Sequence, residues 1–132
     1  GLSDTEGSVN DFSAGYSCFR SLALDEEYLY CIAASAISTS AVLAISRADK
    51  SVQVVAGGTS PLPPEQISRP ESLCYPSGDA EAYGYFYPAM TGAEKPPLVV
   101  FIHGGPTSAR YPVLDPRIQY WTHRGFAVAD LN

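Results

Sequence analysis

The sequence predicts two parts: a four-stranded antiparallel sheet like one blade of a β-propeller, then a β-hairpin and a βαβ unit that open an α/β domain. Three observations predict this. Four short apolar runs follow one another through the first half of the chain, separated by polar turn clusters. A stretch dense in glycine and proline, Gly57-Gly58-Thr59-Ser60-Pro61-Leu62-Pro63-Pro64, then marks a change in composition. Beyond it, the apolar run Leu98-Val99-Val100-Phe101-Ile102 stops at His103-Gly104-Gly105-Pro106 and is followed by a helical pattern and another short apolar run.

In chain order, residues 1–10 are acidic and contain glycine and serine, and are expected to form a loop or a frayed end. The first strands are placed at Ser17 to Leu22, Tyr28 to Ala34, Ala41 to Ser46 and Ser51 to Ala56. Asp25-Glu26-Glu27, Ser38-Thr39-Ser40 and Ala48-Asp49-Lys50 punctuate them as turns. Neighbouring strands at such spacing pair antiparallel, as in a propeller blade. A rival helix over Cys31 to Arg47 would place Ile37, Val42 and Ile45 inward, but the Ser-Thr-Ser break and the β-branched residues around it tell against it.

The glycine- and proline-rich stretch is read as a linker, which divides the chain into 1–64 and 65–132. After it, Ser72 to Pro76 and Ala82 to Pro88 form a hairpin around Ser77-Gly78-Asp79-Ala80. A polar connection then leads through Glu94-Lys95-Pro96-Pro97 into Leu98 to Ile102, whose apolar residues predict a strand buried on both faces. Ile118, Trp121 and Leu114 fall at helical spacing, and Gly125 stands where a glycine ends a helix. Phe126 to Leu131 is the next strand, so a right-handed crossover is expected.

The turn after the central strand is the candidate site. Ligands of open α/β sheets sit at the carboxyl ends of strands. A Gly-Gly turn there can present backbone N–H groups with no Cβ in a ligand's way. Such donors hold a developing negative charge on a substrate oxygen. A plain tight turn is the alternative.

Fourteen acidic residues against eight basic ones, a net charge of −6, argue against nucleic-acid binding. No apolar run approaches the roughly 20 residues of a membrane-spanning helix. Cys18, Cys31 and Cys74 are odd in number and lack the close Cys/His spacing of zinc sites, so they are expected to be small buried strand residues in a reducing, cytoplasmic setting. No metal or cofactor is expected.

Acyl transfer by serine also needs a nucleophile, a base and an orienting acid. The nucleophile should lie in a Gly-x-Ser-x-Gly elbow, and none is present. Gly15-Tyr16-Ser17-Cys18-Phe19 lacks the second glycine, which tells against Ser17. His103 is expected to shape its loop, His123 to end a helix, Asp115 to start a helix or lie in a loop, and Asp130 to sit at a strand end. None of them completes a triad.

The residues Phe-Ile-His-Gly-Gly-Pro-Thr at 101–107 and Gln-Tyr-Trp-Thr-His-Arg-Gly-Phe-Ala-Val-Ala-Asp-Leu-Asn at 119–132 resemble the prolyl oligopeptidase family of serine peptidases, in particular its acylaminoacyl and dipeptidyl aminopeptidase branch. Arg69-Pro70-Glu71-Ser72-Leu73 and Ala82-Tyr83-Gly84-Tyr85-Phe86-Tyr87-Pro88 are similar to the opening hairpin of the family's α/β-hydrolase domain. Other esterases carry His-Gly-Gly-Gly instead. The resemblance implies a propeller before the hydrolase domain and a triad beyond Asn132. It also implies a main-chain donor to the oxyanion at Gly105, with Gly104 giving room and His103 and Pro106 fixing the turn, Pro106 beside the substrate. Some members have a tyrosine where His103 stands, which contributes its hydroxyl.

The implied parent is a serine peptidase acting on short peptides through an acyl-enzyme. This chain alone would be inactive, its partners being a peptide and the rest of the parent. A non-catalytic interaction module and a carboxylesterase are the alternatives. Uncovered sheet faces and an apolar edge also leave a homo-oligomer open.

Overall fold

A computed structural model of the chain describes residues 2–3, 9–10, 13–105 and 107–132. Strands β1 (Leu2–Ser3) and β2 (Val9–Asn10) pair antiparallel, where a loop or frayed end was expected. Too few residues are involved for alternation to have shown them.

The first large sheet runs β3 (Cys18–Leu24), β4 (Tyr28–Ala34), β5 (Ala41–Ser46) and β6 (Val52–Gly57), each antiparallel to the next. Its turns close as their residues dictate. Asp25 Oδ1 accepts from the N–H groups of Glu27 and Tyr28 at 2.9 and 2.6 Å, and the Arg47 guanidinium donates to the carbonyls of Asp25 and Glu26. Asp49 does the same in the β5–β6 turn, accepting from the N–H and hydroxyl of Ser51. Alternate residues of the inner strands, Cys31 and Ala33 with Ala41, Leu43 and Ile45, form the core, and Tyr16, Leu29 and Val52 pack against it. This period of two is a strand's, and it disposes of the rival helix over Cys31 to Arg47.

The linker holds one short 3-10 turn, Pro64–Gln66. The second large sheet comprises β7 (Glu71–Ser77), β8 (Ala80–Tyr87), β9 (Leu98–Ile102) and β10 (Ala127–Leu131), in the order β7-β8-β10-β9. β10 runs parallel to β9 and antiparallel to β8, and α1 (Pro116–His123) connects β9 to β10. Asp115 caps α1, its carboxylate accepting from the Arg117 N–H at 2.8 Å. Gly125, at φ +86°, follows the helix, and the Phe126 N–H donates back to the Trp121 carbonyl. Tyr87, Ile118 and Val128 form the core between helix and sheet, with Val99, Phe101 and Trp121 against it. Leu114 lies ahead of the helix rather than on it.

Two expectations need correction. β9 is an edge strand and is not buried on both faces: Leu98, Val100 and Ile102 are 55, 46 and 74% exposed. Only the face bearing Val99 and Phe101 meets α1, because no described element covers the other. Cys74 is exposed and Cys18 half-buried; only Cys31 is a core residue. All three are free thiols.

The two large sheets are joined by polar contacts. The Leu114 N–H donates to the Ser35 carbonyl at 2.7 Å, and the Ser17 hydroxyl to the Pro112 carbonyl at 2.8 Å. Between them lies a cleft of about 430 Å³ lined by Cys18, Phe19, Arg20, Arg110, Tyr111 and Asp130, among others.

Candidate active-site loop

β9 ends at Ile102, and the backbone then turns through His103, Gly104 and Gly105 at the carboxyl end of the parallel pair. Gly105 has φ +76°, a left-handed conformation that L side chains resist, which explains why glycine stands there. A Cβ built on Gly104 or Gly105 would meet no atom within 4 Å, so both residues face open space. Among the described residues, neither glycine's N–H donates to any backbone or side-chain acceptor. The turn thus presents main-chain donors to solvent at a strand's carboxyl end. Pro106 lies outside the described residues.

The half-buried His103 has a thin polar environment. Its Nδ1 lies 3.5 Å from the Gly104 carbonyl oxygen, at the limit of a hydrogen bond. His123 ends α1, with Nε2 2.7 Å from the Gln66 carbonyl, so it ties the helix to the linker. Ser17 donates its hydroxyl to the Pro112 carbonyl, with a longer contact to that of Ala34. Among the described residues its hydroxyl has no hydrogen bond with His103 or His123. Among the described residues no three His, Cys, Asp or Glu side chains gather closely enough to hold a metal ion.

Asp130 is the residue whose setting the sequence understated. It sits inside β10 opposite Phe101 and is 4% exposed. Its Oδ1 lies 2.8 Å from the Arg110 Nε. The N–H is not well aligned with the oxygen, so the contact is an ion pair more than a hydrogen bond. Burial pushes the Asp130 carboxyl above the usual carboxylate range, against the pull of Arg110. Burial pushes Asp115 up as well, but hydrogen bonds from the Arg117 guanidinium and N–H outweigh it and hold that carboxyl low. The buried Tyr87 hydroxyl has no partner among the described residues; burial, then the charges of Asp130 and Asp115, push its pKa up.

The sequence alone assigned no role to Arg110 or to Asn132. The Arg110 N–H donates to the Asn132 side-chain oxygen at 2.6 Å, and the Asn132 N–H to the Tyr83 carbonyl at 2.9 Å. Twenty residues separate Arg110 from Asp130 with no periodic relation, so only the crossover could bring them together.

The fold resembles that of solved serine peptidases of the prolyl oligopeptidase family, the same likeness that the sequence motifs carry. The solved structures it resembles include puromycin hydrolase, at 28% identity and TM-score 0.87 over 96% of this chain and 21% of that one. A Mycobacterium tuberculosis puromycin-hydrolyzing peptidase is 27% identical with TM-score 0.85, over 98% of this chain and 22% of that one. Pyrococcus horikoshii acylaminoacyl peptidase, 20% identical with TM-score 0.68 over 89% of this chain and 19% of that one, shares the fold. The chain thus spans about a fifth of the length of these structures. No protein-family model matches the sequence, and a comparison with curated proteins finds no significant match.

Proposed function

We propose that this chain is the part of a prolyl oligopeptidase-type serine peptidase that supplies one main-chain donor of the oxyanion hole, Gly105 N–H. In this reading β3 to β6 are a propeller blade, β7 and β8 open the hydrolase domain, and the boundary falls between residues 64 and 65. The observation that carries it is the Gly105 amide, which lies at the carboxyl end of β9 with no acceptor among the described residues.

A serine supplied by the rest of the parent attacks the peptide carbonyl, and the carbonyl oxygen gains a negative charge. An amide already fixed toward that oxygen stabilises it without reorganising, which is where such donors gain most of their effect. The amine leaves, an acyl-enzyme remains, and water releases the acid. Gly104 leaves room for the substrate beside the donor. The parent's substrates are short peptides, from which it releases an amino-terminal dipeptide or an acylated residue. The likeness to puromycin hydrolase and to a puromycin-hydrolyzing peptidase, at 28 and 27% identity, supports a hydrolase that acts on small molecules of this kind.

A fluorophosphonate probe tests this reading. The full-length protein should take up one equivalent at a serine, while residues 1–132 alone should neither be labelled nor show an acyl burst with an activated ester. A full-length protein that resists the probe would indicate an interaction module. A burst from the isolated chain would overturn the assignment of the nucleophile to the remainder.

A further inference from the structure

The loop between β9 and α1 leaves the sheet at Ile102, paired to Leu131, and among the described residues its next anchors come only at Arg110 and beyond. From Gly104 to Ala109 it is exposed wherever described, and no residue there donates a hydrogen bond to another described residue. Among the described residues, the anchors after the glycine turn lie in the five residues from Arg110 to Leu114. Arg110 reaches Asp130 through its guanidinium and Asn132 through its N–H, the Pro112 carbonyl accepts from Ser17, and the Leu114 N–H donates to Ser35. Arg110 is the first of these anchors after the glycine turn, so it fixes the downstream side of a span whose upstream side is fixed by Ile102 in β9.

We infer that Arg110 and Asp130 are a positioning pair that holds the Gly105 amide on target. The inference rests on the oxyanion reading above. A carboxylate 4% exposed is tolerated when a cation faces it, and Arg110 Nε, 2.8 Å away, is the cation in ion-pair contact. Asp130 belongs to β10, which is paired on both sides, to β8 and to β9, so the carboxylate is fixed to an inner strand of the sheet. Arg110 transmits that rigidity to the loop. Its N–H extends the same link through Asn132 to Tyr83 of β8. Neither side chain need touch substrate; together they shorten the free span of loop around the donor. A misplacement of about 1 Å at a reacting group can cost a hundredfold in rate, so such a span matters to catalysis.

The test uses the full-length protein and two independent readouts. Trypsin cleavage between Arg110 and Tyr111 should be about fivefold faster in Asp130→Asn than in the wild type, because the loop opens locally more often. In peptide hydrolysis, Arg110→Met should lower kcat about tenfold with KM within about twofold, the pattern of a donor misaligned in the transition state. Arg110→Lys, which keeps a cation, should recover part of that loss. Unchanged cleavage at Arg110 would overturn the pairing. An unchanged kcat in Arg110→Met, or a rise in KM alone, would overturn its role in positioning. Should Asp130→Asn fail to fold, the Met and Lys variants at 110 still decide the matter. A wild type that resists the fluorophosphonate would refute the peptidase reading instead, and the trypsin comparison would still show whether the pair fastens the loop.

Discussion

Adding one methyl group at each of the paired glycines should separate two roles. At Gly105 the methyl meets no atom within 4 Å, so no clash opposes it. The backbone does oppose it, because φ is +76° and an L residue in the left-handed region is disfavoured by about 1–2 kcal/mol. Gly105→Ala can relieve that strain only by rotating φ, which re-aims the amide. Loss of a single oxyanion donor lowers kcat by about 10²–10³-fold. A re-aimed donor should fall between no effect and that limit, so kcat should drop by at least about tenfold while KM changes little. Gly104 is outside the left-handed region and its methyl also enters open space, so Gly104→Ala carries no comparable strain. Its added bulk should crowd the substrate and raise KM with kcat held. Steady-state hydrolysis of a chromogenic peptide by the full-length protein reads both values, and a thermal melt reads the strain. Equal losses in the two variants, or a lower melting temperature in Gly105→Ala with kcat intact, would refute the reasoning.

Other substitutions test the frame around the loop. A Cβ on Gly84 would lie 2.6 Å from the Asp130 carbonyl oxygen, so Gly84→Ala must force β8 from β10 and should destabilise by about 1–3 kcal/mol in urea denaturation. Asp115→Ala should cost about 1 kcal/mol at neutral pH through loss of the helix cap. The folded Asp115 pKa is below the ordinary 3.8, so its contribution is present above that value and lost as pH falls through the folded pKa. Melts at pH 7 and at progressively lower pH should therefore show the gap between wild type and variant narrowing in acid. Residues 1–132 alone should self-associate in sedimentation velocity, because β9 offers an unpaired edge and the apolar row Leu98, Val100 and Ile102. A stable monomer would contradict that expectation.

Turn chemistry is what made the first sheet legible. Asp25 and Asp49 each close a turn with their own carboxylates, and such local bonds depend on few residues. Strand ends accordingly fall within about two residues of those expected, a usual uncertainty at element boundaries. Burial was less legible. Five apolar residues in β9 signal a strand, but which faces are covered depends on the elements that pack there, and a local run cannot specify them. The same limit applies to Asp130. A strand-end acid was readable, whereas its burial against Arg110 needed the crossover of α1 to carry the loop back over the sheet. Gln119 is another case: buried on α1, it bonds both the N–H and the carbonyl of Ser68, 51 residues away, at 2.9 Å each. The glycine turn itself could be read from residue type alone, since a positive φ in an exposed turn leaves few alternatives to glycine.

The most direct measurement is a crystal structure of the full-length protein with a peptide boronate or aldehyde, whose tetrahedral adduct carries the charged oxygen. An oxyanion-hole role for Gly105 requires that oxygen about 2.7–3.1 Å from the Gly105 nitrogen, in line with its N–H. An adduct oxygen held by other donors, with the Gly105 N–H turned to a carbonyl of its own loop, would contradict it.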